Sequence, residues 1–110
     1  MIRIQGNSIE MTRGDTLILR VVPELDGEPV VLTEGDRVRF ALGRETGSTN
    51  PTPLVVKDVP VDTMLLRLDP EDTKAIPFGD YIYDVQLTRA DGFVATFIAE
   101  AAFTLAREVE

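Results

Sequence analysis

Apolar and polar residues alternate at every second position along most of the chain, and no window keeps helical spacing beyond a turn or two. That period throws successive side chains to opposite faces of an extended backbone, so the chain reads as strands buried on one side. Ile9 and Met11 mark a short first strand, ended by Arg13-Gly14-Asp15. From Thr16 to Val22, Leu17, Leu19 and Val21 fall on one face and Ile18, Arg20 and Val22 on the other. Pro23 and the turn Leu25-Asp26-Gly27-Glu28-Pro29 follow. Prolines this close point to a sheet edge, because proline cannot donate to a ladder. Arg37 to Leu42 sends Val38, Phe40 and Leu42 inward and Arg37 and Arg39 outward. Gly43 to Pro53, rich in Gly, Ser, Asn and Pro, is the one candidate mobile loop. Leu54 to Lys57 and Thr63 to Leu68 are the next strands, with Met64, Leu66 and Leu68 sharing a face.

Asp69 to Ile76 predicts a helical turn, with Asp69 as N-cap and Pro70 at the first position, where its missing N–H costs nothing. A strand follows in which Tyr81, Tyr83, Val85 and Leu87 share one face. Arg89-Ala90-Asp91-Gly92 is a tight turn with glycine at the left-handed position. On the return, Phe93, Ala95, Phe97, Ala99, Ala101, Phe103 and Leu105 keep one parity, which fits one long strand or two in phase across a bend at Glu100. A strand, a corner with a helical turn, a Gly-led strand with two tyrosines and a hairpin form the order of a Greek-key sandwich. The expected fold is an all-β, Ig-like Greek-key β-sandwich of about seven strands with one helical turn near 70–76. Residues 1–110 read as a single domain without repeat, linker or change of composition. The last strand outruns its partner, which spans Asp80 to Thr88. The overhang Ala99 to Leu105 is mostly small or apolar with only Glu100 charged, and calls for another strand, from the same chain or a second subunit.

Charge and composition remove whole classes of function. The net charge is −8, the wrong sign for tracking phosphate backbones, and no basic stripe is present, so no nucleic-acid partner is expected. Cysteine and histidine are both absent, which removes disulfides, thiolate chemistry and the commonest acid–base and transition-metal side chain. The opening Met-Ile-Arg-Ile-Gln-Gly-Asn-Ser lacks the ~7–15 apolar residues of a signal peptide. No apolar run approaches the ~20 residues of a membrane span, so no membrane partner is expected. Synthesis and folding in a cytoplasm are expected.

Five features could carry chemistry. Arg13-Gly14-Asp15 is the tripeptide that integrins read, but it equally makes a turn in which Gly14 supplies positive φ; we read it as structural. Asp69, Glu71, Asp72 and Asp80 gather acids at the corner. Their spacing lacks the ligand ladder of a calcium loop, and helix N-termini favour acids without any ion. A carboxylate pair held ~5–9 Å apart could hydrolyse glycosidic bonds, but any acidic sandwich offers such pairs. Ser8 and Ser48, the only serines, sit in no nucleophile elbow. Tyr81 or Tyr83 could stack on a sugar if exposed. The commoner role of a tyrosine after such a corner is to bond back to the corner's backbone. We therefore expect no enzyme, with no catalytic, metal-binding or cofactor-binding residues and no cofactor.

One resemblance covers most of the chain, from about Met11 to Val109. It rests on Arg13-Gly14-Asp15-Thr16 before a strand, Gly35-Asp36 before Val38-Arg39-Phe40-Ala41-Leu42, and Asp72-Thr73 leading to Gly79-Asp80-Tyr81-Ile82-Tyr83-Asp84-Val85-Gln86-Leu87, with Asp91-Gly92 and Thr96 completing it. The pattern resembles small Ig-like β-sandwich proteins of tailed bacteriophages and prophages, similar to the N-terminal domain of baseplate upper proteins and to tail or head accessory proteins. The resemblance implies a non-enzymatic virion structural or accessory protein that binds copies of itself or neighbouring virion proteins. The rival expectation is a carbohydrate- or calcium-binding module in host-surface recognition. The corner also resembles the segment before the last two strands of immunoglobulin domains, with Lys74 to Gly79 inserted and no cysteine.

Overall fold

The computed structural model describes residues 2–43 and 53–107. In chain order the elements are β1 (Ile2–Gln5), β2 (Ser8–Thr12), β3 (Leu17–Arg20), β4 (Glu24–Leu25), β5 (Glu28–Pro29), β6 (Arg37–Gly43), β7 (Val55–Val59), β8 (Leu65–Leu68), α1 (Pro70–Lys74), β9 (Gly79–Thr88) and β10 (Val94–Ala106). Six strands make one sheet in the order β1-β2-β10-β9-β6-β7. β3 and β8 pair as a second, two-stranded sheet, and β4 and β5 form a small hairpin apart from both. The fold is an all-β sandwich with one short helix, as the alternation predicts.

The strand count is higher than the seven expected. β1 was missed: Ile2 and Ile4 alternate with Arg3 and Gln5, and the two-residue turn Gly6-Asn7, with Gly6 at φ 61°, folds β1 back onto β2. The Asp26-Gly27 turn is tight enough, with both residues at positive φ, to pair β4 with β5. Of the Gly43–Pro53 loop, only the two end residues lie among the described residues.

Between the sheets, the inward faces of β6, β9 and β10 meet those of β3 and β8. Phe40, Tyr83 and Phe103 form the centre: ring centroids lie 5.3 Å apart for Phe40–Tyr83, 6.3 Å for Phe40–Phe103 and 6.1 Å for Tyr83–Phe103. Such tilted and edge-on contacts add to the burial of the rings themselves. Leu17, Leu66, Leu68, Leu87 and Leu105 close around them with almost no exposed surface.

The last strand differs from expectation in an informative way. Its pairing with β9 slips between Thr96 and Ile98 and again between Ile98 and Ala101, where Glu100 has φ 49°. Each slip inserts one extra residue, a β-bulge. Between the bulges the phase inverts: Ile98 stands opposite Val85, Ala99 is exposed, and Phe97 is only partly buried against the core. Phe93, at the hairpin mouth, is 56% exposed. The even parity of the sequence thus hides two cancelling one-residue shifts. They also consume the supposed overhang. Ala101 to Leu105 pair with β9 as far as Gly79, and Phe103 to Ala106 pair in parallel with β2. The expectation that Ala99 to Leu105 offers an unguarded assembly edge is therefore corrected.

Candidate functional site

The corner around α1 gathers most of the residues that the sequence singles out. Pro70 starts the helix and Asp69 stands at its N-cap with extended backbone. The Asp69 N–H donates to the Asp72 carboxylate, 2.7 Å, and the Asp69 carboxylate takes Arg67 Nε at 2.7 Å. Asp72 also holds Lys57 Nζ at 2.9 Å, and this hydrogen bond raises the lysine's pKa above its ordinary value. Asp80 accepts from the Thr104 hydroxyl at 3.1 Å, directly across the β9–β10 ladder, and Glu71 is exposed. Asp69, Asp72 and Asp80 therefore each bind a different side chain, and Glu71 faces solvent. Among the described residues, no three Asp, Glu, His or Cys side chains gather to hold a metal ion.

Arg13 and Gly14 grip this same corner. The Gly14 N–H donates to Thr73 Oγ1 at 2.8 Å, and Thr73 is fully buried. Arg13 Nη1 reaches the Ile76 carbonyl at 3.2 Å. Gly14 has φ 88°, the conformation that the turn reading assigns to it. The tripeptide thus joins the start of β3 to the connection between β8 and β9.

Both tyrosines point into the protein. The Tyr81 hydroxyl donates to the Pro77 carbonyl at 2.6 Å, closing the corner on itself, the tyrosine latch of Greek-key sandwiches. Tyr83 donates to the Asn7 carbonyl in the β1–β2 turn, and burial lifts its pKa above the usual phenol value. With 7% and 4% of their surface exposed, neither ring presents a face for a sugar to stack on.

A second cluster, at the far end, had only a faint signal in the sequence. Asp36 is 6% exposed, yet its carboxylate accepts from Thr33 N–H at 2.8 Å, Arg89 Nη1 at 2.8 Å and Ala90 N–H at 3.2 Å. The Thr33 bond leads in holding its pKa below the ordinary value, with Arg89 adding to it against the cost of burial. Arg89 also donates to the Val31 carbonyl at 2.9 Å. Gly35-Asp36 before a strand and an arginine opening a hairpin turn are visible in the sequence. Nothing there says that they meet. The contact pins the β9–β10 turn to the approach of β6.

Two hollows remain. The larger, about 300 Å³, lies on the outer face of the large sheet, where Arg39, Asp84 and Glu100 rim a floor that includes Ala41, Gly43 and Ile82. It offers one guanidinium and two carboxylates. The other, about 220 Å³, opens beside β3 between the sheets and is lined mainly by apolar side chains. Ser8 is exposed at the start of β2, and Ser48 lies outside the described residues.

No family model, curated protein or solved structure matches this chain. The arrangement itself is consistent in one respect. Arg13, Gly14, Thr73, Tyr81 and Asp36, which could be mistaken for functional groups, are spent on tying loops together. Among the described residues, no helix is long and apolar enough to cross a membrane.

Proposed function

We propose that this protein is a non-enzymatic structural or accessory component of a bacteriophage or prophage particle, working through contacts with its own copies or neighbouring virion proteins. The single observation that carries this reading is the commitment of its chemistry-bearing residues to architecture. The tyrosines, the Arg-Gly pair, Asp69 and Asp72 hold the turns and the helical corner, which leaves sheet faces and edges as the surfaces for recognition. The motif resemblance to small phage sandwiches supplies the setting, a chain folded in the bacterial cytoplasm and carried on in the virion. A carbohydrate or calcium module loses support, because Tyr81 and Tyr83 are buried and Asp69, Asp72 and Asp80 each bind a different side chain.

The test is to induce particles from the source strain, purify them on a density gradient and probe the fractions with an antibody against this chain. Co-sedimentation of the chain with particles at a fixed ratio to a major head or tail protein is the expected result. Its absence from particles, with the chain abundant in the lysate, overturns the reading.

A further inference from the structure

The two-stranded sheet has, among the described residues, no hydrogen-bonded neighbour on either side, and β3 forms one of its edges. Among the described residues, β8 is the only hydrogen-bonded partner of β3. The Val21 N–H donates to the Met64 carbonyl at 2.8 Å, and Leu19 and Leu17 continue that register against Leu66 and Leu68. Because bonded and non-bonded residues alternate along an antiparallel strand, the backbone groups of Ile18 and Arg20 face away from β8. Beside this edge opens the apolar hollow of about 220 Å³. Exposed apolar side chains crowd the same flank: Ile4, 45% exposed, and Val22, 59% exposed, both line the hollow, while Ile18 is 55% exposed on the strand itself.

Most other edges of the fold carry some protection, although β1, outermost in the large sheet, has only Arg3 and exposes Ile2 and Ile4. β7 holds Lys57 and Asp58 with Pro60 just beyond, β8 holds Arg67 and runs into Pro70, and β10 is bent by its two bulges. β3 has Arg20 alone. Nor do acids guard this flank: the chain carries 19, yet none lies in Thr16–Val22 or lines the hollow. Over Thr16–Val22 itself two chains of net charge −8 can therefore meet without opposed carboxylates, Asp15 and Glu24 lying just outside the overlap.

We propose that the free edge of β3 pairs antiparallel with β3 of a second copy across a two-fold axis at Leu19, joining the two small sheets into one continuous sheet, β8-β3 of one copy against β3-β8 of the other. The segment Thr16–Val22 fits this symmetry. With the axis at Leu19, Thr16 faces Val22, Leu17 faces Val21 and Ile18 faces Arg20 of the other copy, so the whole segment overlaps. Shifting the axis to Arg20 sets the two arginines directly opposite, a repulsive pair. Shifting it to Ile18 shortens the overlap. In the favoured register both backbone groups of Ile18 and Arg20 gain partners, and the axis closes the assembly at two copies. This inference rests on the proposal that the protein works through contacts with its own copies, and it names the surface.

Sedimentation equilibrium and a cysteine cross-link test it. The chain has no cysteine, so Leu19→Cys introduces a single thiol. In the proposed register the two Leu19 Cα atoms form a non-bonded pair ~4.5 Å apart, within the ~4.4–6.8 Å span of a disulfide. Mild oxidation should convert Leu19→Cys largely to covalent dimer, and a Val56→Cys control on the outer face of β7 should not react this way. Wild type should sediment as a dimer at micromolar concentration. Ile18→Lys should weaken association at least tenfold, with Val56→Lys unchanged. Should Ile18→Lys fail to fold by circular dichroism, Arg20→Pro replaces it, since it removes an N–H that faces the open edge and leaves the β8 ladder intact. A wild type monomeric at high micromolar concentration overturns the proposal, as does a dimer indifferent to these edge variants or a Leu19→Cys protein that does not cross-link. A monomer found in purified particles sinks this interface and leaves the virion reading standing; a dimer absent from particles does the reverse.

Discussion

Replacing single phenylalanines along β10 tests the register on which the whole sandwich depends. Phe103 is fully buried and touches both other rings of the central aromatic group, whereas Phe97 sits between the bulges partly buried and Phe93 is 56% exposed at the turn. Phe103→Ala removes the transfer free energy of a whole ring and leaves a cavity among residues that cannot collapse into it, a loss of ~3–5 kcal/mol. Two ring contacts at 6.1 and 6.3 Å place it toward the upper end. A single domain holds only ~5–15 kcal/mol in all, so this variant is close to unfolding at 25 °C. At roughly 4 °C per kcal/mol for a domain of this size, its melting point drops by ~12–20 °C. Phe97→Ala, with part of its ring already in water, should lose about 1–2 kcal/mol, scaled from the ~3–5 of a fully buried ring. Phe93→Ala should stay within ~0.5 kcal/mol of wild type. Urea denaturation followed by far-ultraviolet circular dichroism, with a common m-value, ranks the three. If Phe97→Ala costs as much as Phe103→Ala, the strand runs without bulges and the register is wrong.

Three further outcomes follow from the loops. Gly35→Ala meets both a φ of 91° and a Cβ placed 2.8 Å from the Ala90 Cβ, whereas Gly92→Ala at φ 95° meets open space. Gly35→Ala should therefore lose more stability than the ~1–3 kcal/mol of backbone strain shared by both, and equal losses in urea would show that the Ala90 contact carries no cost. Tyr81→Phe removes the latch to the exposed Pro77, whose carbonyl can turn to water. A loss of ~0.5–1.5 kcal/mol is expected, and a fully silent variant in thermal melts would refute the latch. For pH, Asp36 lies below its ordinary 3.8, so its contribution is complete above that value and lost as pH falls through the folded pKa. Tyr83 and Lys57 lie above their ordinary 10.0 and 10.5, so theirs are complete below those values and lost as pH rises through the folded pKa. Melting temperature against pH should be flat between about 4 and 10 and fall on both sides, with Tyr83→Phe softening the alkaline limb. An alkaline limb identical in Tyr83→Phe and wild type would contradict the burial of that hydroxyl.

Elements with a strong local cause were legible in the sequence. Val38, Phe40 and Leu42 alternate cleanly because one face of β6 is buried against the core, and Asp69-Pro70 starts a helix because proline fits only its first turn. The latch at Tyr81 was foreseen because its partner lies four residues away. What escaped depends on contacts distant in the chain. Asp36 and Arg89 are 53 residues apart, and no local pattern pairs a buried acid with one particular arginine. The bulges escaped because two one-residue shifts restore the original parity, so Phe97 looked as buried as Phe103. The open edge of β3 was invisible because alternation reports which face is buried and says nothing of which strands lie alongside.

The parallel ladder between β2 and β10 has a mechanical consequence. Ile9 to Thr12 lie beside Phe103 to Ala106, and the Arg13 N–H extends the ladder to the Ala106 carbonyl at 3.0 Å. Tension applied before Ser8 and after Ala106 drags these two strands past each other along their length, so the bonds of the ladder bear the load together. β1, antiparallel to β2 and outermost in its sheet, is loaded differently: pulled from Ile2, it peels away one pair at a time toward the Gly6-Asn7 turn. Under force the chain would first yield a short compliant hairpin and then meet a shear clamp whose lifetime sets the resistance.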